Sequence, residues 1–238
     1  MLSPVWEGDS MKKTQQFSKS QKMIPAVSEW SSAHLSEAIE KIRHAEAPVI
    51  LLEGVRKLPD QARPSLVSFS IKLANLIPNA KFRTGNESGS DEVFSEGIKK
   101  INPGRLQYVL PYRQMRRSNI HPQSEILTLE DIPASEEQTL FDQTINATPA
   151  YKGLINLYAK SRKRNKYTVR AFYLLRDTLK VIGSQSLGLS PASLGIFYTD
   201  PVNPLKGGTG HTIRVCNQNK APVFYQETWM MWIENGTG

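Results

Sequence analysis

The apolar run Val49-Ile50-Leu51-Leu52, preceded by Pro48 and stopped at Gly54, constrains the fold of this chain more than any other stretch. Too short for a helix and with no polar residue to turn toward water, it reads as a strand buried on both faces. Such a strand needs helices above and below it, which selects an α/β architecture with a mostly parallel sheet. The flanking sequence supplies those helices. From Ser32, the residues Leu35, Ala38, Ile39 and Ile42 share a helical face, with Glu37 four residues ahead of Lys41. Pro64 suits the first turn of a second helix, packed through Leu66, Val67, Phe69, Leu73, Leu76 and Ile77.

The alternation continues. Residues 81–84 give a second strand that leads into Gly85 and a helix capped by Ser88 or Ser90, and residues 106–110 give a third that ends at Pro111. Residues 113–188 then carry helical periodicity, in Val169, Phe172, Leu175, Leu179 and Ile182 among others, and read as a helical insertion before the fourth strand. Residues 194–198 form that strand, 207–219 a glycine turn and helix, and 222–225 a last strand, with Trp229 and Trp232 in a closing helix. The expectation is a Rossmann-like sheet of about five strands in one domain over residues 26–238, behind a flexible leader over 1–25.

Bulk properties exclude several classes. The single cysteine, Cys216, allows neither an internal disulfide nor a cysteine-based zinc site, and the four histidines are scattered, so no metal is expected. No apolar run approaches the roughly 18 residues needed to span a bilayer, and no secretory signal opens the chain, so the expected location is cytoplasmic with no membrane partner. The formal charge of +8 favours phosphate-rich partners, or else a well-solvated surface.

In an open parallel sheet, ligands bind outside the carboxyl ends of the strands. That rule selects Glu53, Gly54 and Arg56 after the first strand, Arg83 to Asp91 after the second, Tyr112 and Arg113 after the third, and Asp200 with Gly207 to Thr212 after the fourth. Two glycine-rich turns stand out. Gly85, Asn86, Ser88, Gly89 and Ser90, with Arg83 and Thr84 before them, precede one helix; Gly207, Gly208, Thr209, Gly210, His211 and Thr212 open another. Both can offer backbone N–H groups to an anion, a role the helix dipole favours, or can serve as turns alone. Arg56, Arg83, Arg113 and Arg214 are candidate phosphate partners. Glu87, Asp91 and His211 are the candidates for acid–base chemistry. The second turn lacks the lysine of a Walker loop. Basic residues at 113–117 and 160–166, interleaved with Tyr108, Tyr112, Tyr151, Tyr158 and Tyr167, read either as a nucleic-acid track or as solvated turns around core tyrosines.

These two turns resemble the glycine motifs of the SLOG superfamily, which includes DprA (Smf) DNA-processing proteins and LOG phosphoribohydrolases, sometimes labelled lysine-decarboxylase-like. The resemblance covers the framework over residues 49–111 and 194–226. It implies a Rossmann-like fold holding a nucleotide, a nucleotide-derived signal or a nucleic-acid phosphate, in a group with members in bacterial and phage defence. LOG enzymes carry a glutamate shortly after the second motif. Here His211-Thr212-Ile213-Arg214 has none and is more similar to the DprA pattern of Thr-x-Arg. Binding is therefore expected ahead of N-glycoside hydrolysis of nucleoside monophosphates. The candidate partners are a nucleotide or nucleotide-derived small molecule, single-stranded DNA, and a second copy of the chain in a homo-oligomer; a nucleotide is the one candidate cofactor.

Overall fold

The computed structural model describes residues 31–235, and the leader expected over 1–25 lies outside them. Six strands form one sheet in the order β4-β3-β2-β1-β5-β6, every neighbouring pair parallel. They are β1 (Val49–Gly54), β2 (Lys81–Thr84), β3 (Leu106–Leu110), β4 (Glu125–Thr128), β5 (Leu194–Tyr198) and β6 (Val223–Phe224). The helices are α1 (Ser32–Arg43), α2 (Arg63–Leu76), α3 (Ser90–Ile101), α4 (Ala134–Ala147), α5 (Lys152–Ser161), α6 (Val169–Ile182), α7 (Gly207–Gln218) and α8 (Gln226–Glu234).

The expected architecture is present with one more strand than the sequence suggested. Glu125–Thr128 lies inside the segment read as helical and pairs with β3 at the sheet edge, Tyr108 opposite Ile126 and Val109 opposite Leu127. Its four residues sit between Ser124, whose hydroxyl bonds the Pro103 carbonyl, and a turn closed by Asp131 on Thr128, so tertiary contacts rather than periodicity define it. A second difference concerns α3. The residue before its first turn is Gly89, at φ 85°, and neither Ser88 nor Ser90 caps it. Ser90 is instead buried, donating from its hydroxyl and its amide to the Val55 carbonyl.

Side-chain alternation in the strands divides the core. Ile50, Leu52, Phe82, Tyr108 and Ile196 face a layer built from α1, α2, α3 and α8. Leu51, Val109 and Phe197 face α4, α6 and α7 on the other side. The first layer centres on Trp229, fully buried, whose ring lies 5.0 Å from Phe69 and 5.9 Å from Phe94 and whose indole N–H donates to the Phe197 carbonyl at 3.0 Å. Aromatic groups of this size contribute several kcal/mol through area and contact alone. The second layer is less apolar. Arg83 on β2 reaches Gln107 on β3, which reaches Glu125 on β4, a polar ladder across three strands that ends on the Lys180 carbonyl of α6.

Chain order reverses between β1 and β5, so the loops leaving these two adjacent strands diverge and open a crevice at their carboxyl ends. Trp229→Ala is expected to lower unfolding stability by about 3–5 kcal/mol through cavity formation. Met231→Ala, at a position 45% exposed, is expected to stay within about 0.5 kcal/mol, both read by urea denaturation.

Candidate functional site

The crevice at the β1/β5 junction opens into a cavity of about 780 Å³, a volume that suits a nucleotide-sized ligand. Its walls come from the loop after β1, the first turn of α7, the loop before α7 and one face of α6. Both glycine turns border it, but they do different things.

The first turn is occupied by the protein itself. Asp91, six residues after Gly85, swings its carboxylate back so that Oδ2 accepts from the Gly85 amide at 3.1 Å and the Glu87 amide at 3.3 Å. Burial raises the pKa of Asp91, with Lys180 and Arg176 acting in the opposite sense. The other predicted members of this turn serve structure. A Cβ at Gly85 would overlap the Arg176 guanidinium, which donates to the Gly85 carbonyl at 2.6 Å. Asn86, buried at φ 59°, binds the Arg116 carbonyl and Asn119. Arg83 and Thr84 are buried, Arg83 within the ladder to Gln107, and burial pushes the Arg83 pKa down to about 10. Ser88 is exposed. Only Glu87 and Asp91 of this turn line the cavity.

The second turn keeps its face open. Gly207, at φ 70°, begins α7 together with Gly208 and Thr209, and all three line the cavity. The preceding Lys206 makes no side-chain cap, and the first turn holds no acidic residue. Thr209 is tied to β1 by its hydroxyl, 3.0 Å from the Gly54 carbonyl. Deeper residues of the motif turn inward. Gly210 packs against the Leu205 backbone, Thr212 donates to the Gly208 carbonyl, and Arg214 donates to the Leu205 carbonyl. His211 is fully buried between Thr148 and Thr178 at 2.9 and 3.0 Å, and burial pushes its pKa down to about 4, so its ring belongs to the packing under α7 rather than to the cavity surface.

The floor is a group of buried charges, of which the sequence singles out Glu53 but not Arg176, Asp177 and Lys180. Lys180 pairs with Glu53 at the end of β1 and with Asp177 at 2.9 Å; Asp177 also pairs with Arg176 at 2.9 Å, and Arg176 with Glu87 at 3.3 Å. Burial raises Glu53 to about 7 against the pull of Lys180. For Asp177 burial acts upward too, but Lys180 and Arg176 together hold it below its ordinary value. For Lys180 desolvation acts downward, but the Asp177 and Glu53 carboxylates outweigh it and keep its pKa raised. The signal available in sequence was Arg176, Asp177 and Lys180 interrupting the apolar pattern of α6, a helix buried on nearly every face.

Above this floor the rim carries four exposed cations and one exposed acid, Asp200, whose carboxylate accepts from the Val202 and Asn203 amides. Arg56, Lys57, Arg170 and Lys206 are exposed, and of these only Arg56 forms a salt bridge among the described residues, to Glu87 at 3.0 Å. Arginine–tyrosine stacks continue outward, Arg170 over Tyr151 at 4.8 Å and Arg164 over Tyr112 at 3.9 Å. Tyr108 and Tyr158, by contrast, are packing residues: Tyr108 is buried and Tyr158 stacks on Phe172 at 4.8 Å. Among the described residues no helix is long and apolar enough to cross a membrane.

No protein-family model matches the chain, and no curated protein matches it. Among solved structures it is similar to DNA processing protein A from Helicobacter pylori, described as binding single-stranded DNA, at 13% identity and a TM-score of 0.41 over 78% of this chain and 67% of that one.

Because His211 is held neutral in the fold and titrates near its ordinary value when unfolded, its contribution to stability is complete above about pH 6.5 and is lost as pH falls toward 4. The stability difference between the wild type and His211→Gln should therefore shrink over that window, by at most about 3 kcal/mol, in urea titrations at stepped pH.

Proposed function

We propose that the chain binds a nucleotide or nucleotide-derived signal in the β1/β5 crevice, with its phosphate at the first turn of α7. One observation carries the reading: a helix start with no capping side chain and no acid of its own, Gly207-Gly208-Thr209, forms the wall of a nucleotide-sized cavity whose rim holds Arg170 and Lys206 without ion-pair partners among the described residues. Backbone N–H groups at a helix start and adjacent cations are together the usual physical answer to a phosphate. The resemblance of the second glycine turn to the SLOG superfamily agrees with it. Binding takes precedence over catalysis in this reading, because Asp91 and His211 are engaged by the protein's own groups and no carboxylate follows the second motif.

Native mass spectrometry of freshly purified protein, followed by calorimetry with nucleoside monophosphates, tests the proposal. A chain with no copurified nucleotide and no millimolar affinity for any of them would refute it. Charge reversal at the rim, Arg170→Glu or Lys206→Glu, is expected to weaken nucleotide binding about fivefold or more while leaving the thermal midpoint unchanged.

A second reading, single-stranded nucleic acid laid across the rim, draws on the stacked pairs Arg170–Tyr151 and Arg164–Tyr112 and on Tyr167, which is 65% exposed. Aromatic faces next to unpaired cations suit a strand whose bases stack while its phosphates are neutralised. Oligonucleotide affinity that falls steeply with salt and is reduced by Tyr167→Ala supports this reading; affinity independent of salt removes it.

A further inference from the structure

The cavity is polarised from mouth to floor. Its exposed cations stand at the rim, while the carboxylates of Glu53, Asp91 and Asp177 are buried at the bottom, each residue 4% exposed. The floor cations Lys180 and Arg176 are already paired with the Glu53, Asp177 and Glu87 carboxylates. A phosphate driven to the floor would therefore meet carboxylates at short range with no cation left to neutralise it, and the anionic end of a ligand belongs at the mouth. The group that goes in first must therefore be neutral and able to donate hydrogen bonds.

Two of the three carboxylates have capacity left for it. Lys180 Nζ draws Glu53 and Asp177 together, so the two acids present oxygens side by side. Glu53 Oε1 is held by the Lys180 ammonium, and Oε2 has no donor among the described residues. Asp177 Oδ2 lies directly under Gly208, where a Cβ would be 3.0 Å from it, so this carboxylate reaches the same wall that holds the first turn of α7. Asp91 differs, since its Oδ2 is spent on the two amides of the first glycine turn.

Resting on the phosphate-binding reading above, we infer that the ligand is a phosphorylated sugar, free or as the ribose of a nucleotide, that enters hydroxyl-first and sets neighbouring hydroxyls on Glu53 and Asp177. Two acceptors gathered on one ammonium match the two adjacent donors of a vicinal diol. Glu53 is thereby the specificity-determining residue, telling a ribose from a sugar that lacks the hydroxyl. A deoxy sugar would leave a buried carboxylate oxygen without a partner, and that asymmetry is where discrimination comes from.

The test is calorimetry on the full chain with five probes: inorganic phosphate, ribose 5-phosphate, 2-deoxyribose 5-phosphate, adenosine 5′-monophosphate and its 2′-deoxy counterpart. Each ribose compound is expected to bind about tenfold to a hundredfold more tightly than its deoxy partner. In Glu53→Gln the gap should narrow to within about threefold while affinity for inorganic phosphate is kept. Tighter binding of adenosine monophosphate than of ribose 5-phosphate identifies a nucleotide as the source, and equal binding identifies a free sugar phosphate. Equal affinity for ribose and deoxyribose compounds in the wild type, or a gap that survives Glu53→Gln, overturns the inference while leaving phosphate binding intact. Failure of every probe at millimolar concentration sinks both together. The wild-type comparison decides the matter even if the Gln variant does not fold.

Discussion

Three charges on one helix, Arg176, Asp177 and Lys180, are buried in an otherwise apolar layer, and each can be there only because the others and Glu53 neutralise it. Desolvating any one of them alone would cost several kcal/mol, so the set is held together by mutual need rather than by surplus attraction. Through it α6 is fixed at three points to the two strands β1 and β2. Arg176 grips the Gly85 carbonyl after β2, Lys180 meets Glu53 at the end of β1, and the Lys180 carbonyl accepts from Arg83 on the sheet itself. Neither rotation nor sliding of α6 is compatible with all three contacts. The position of the cavity floor follows from this, since the floor is the surface of that helix facing the β1/β5 junction.

The same network separates the two glycine turns. In both, glycine allows the backbone to approach a helix start closely, and both occur after a strand at the carboxyl edge. What fills the hollow differs. Beside α3 the occupant is Asp91, seated within the turn by two amide hydrogen bonds and flanked by Arg176; beside α7 the first turn is left facing the cavity, with cations around it. An argument from motif composition treats the turns as equivalent, whereas their surroundings divide them into one structural element and one that confronts solvent.

The parts of the fold legible in the sequence were those whose signal is local. β1 announces itself because four consecutive apolar residues lie between Pro48 and Gly54, and α2 because Pro64 sets its first turn. β4 was hidden, since Glu-Ile-Leu-Thr is short, stands at an edge and owes its conformation to pairing with β3 and to anchors on either side. In the site, the crevice and the first turn of α7 followed from strand order and glycine spacing. Roles assigned to single side chains did not follow. Whether Arg83 meets a phosphate or Gln107, and whether His211 faces a ligand or Thr178, depends on which residues from 24 to 33 positions away pack against them, and periodicity carries no record of that. The floor charges of α6, Arg176, Asp177 and Lys180, escaped for the complementary reason: charged residues inside an apolar helix look like an exposed stripe until a second layer is known to cover them.

The internal carboxylate beside α3 has a bearing on competition. Because Asp91 is covalently attached six and four residues from the two amides it satisfies, its effective concentration there is far above anything a dissolved anion reaches. Crowding the solution with phosphate or sulfate therefore leaves that hollow as it is, and any saturable effect of such salts on this molecule has to arise elsewhere.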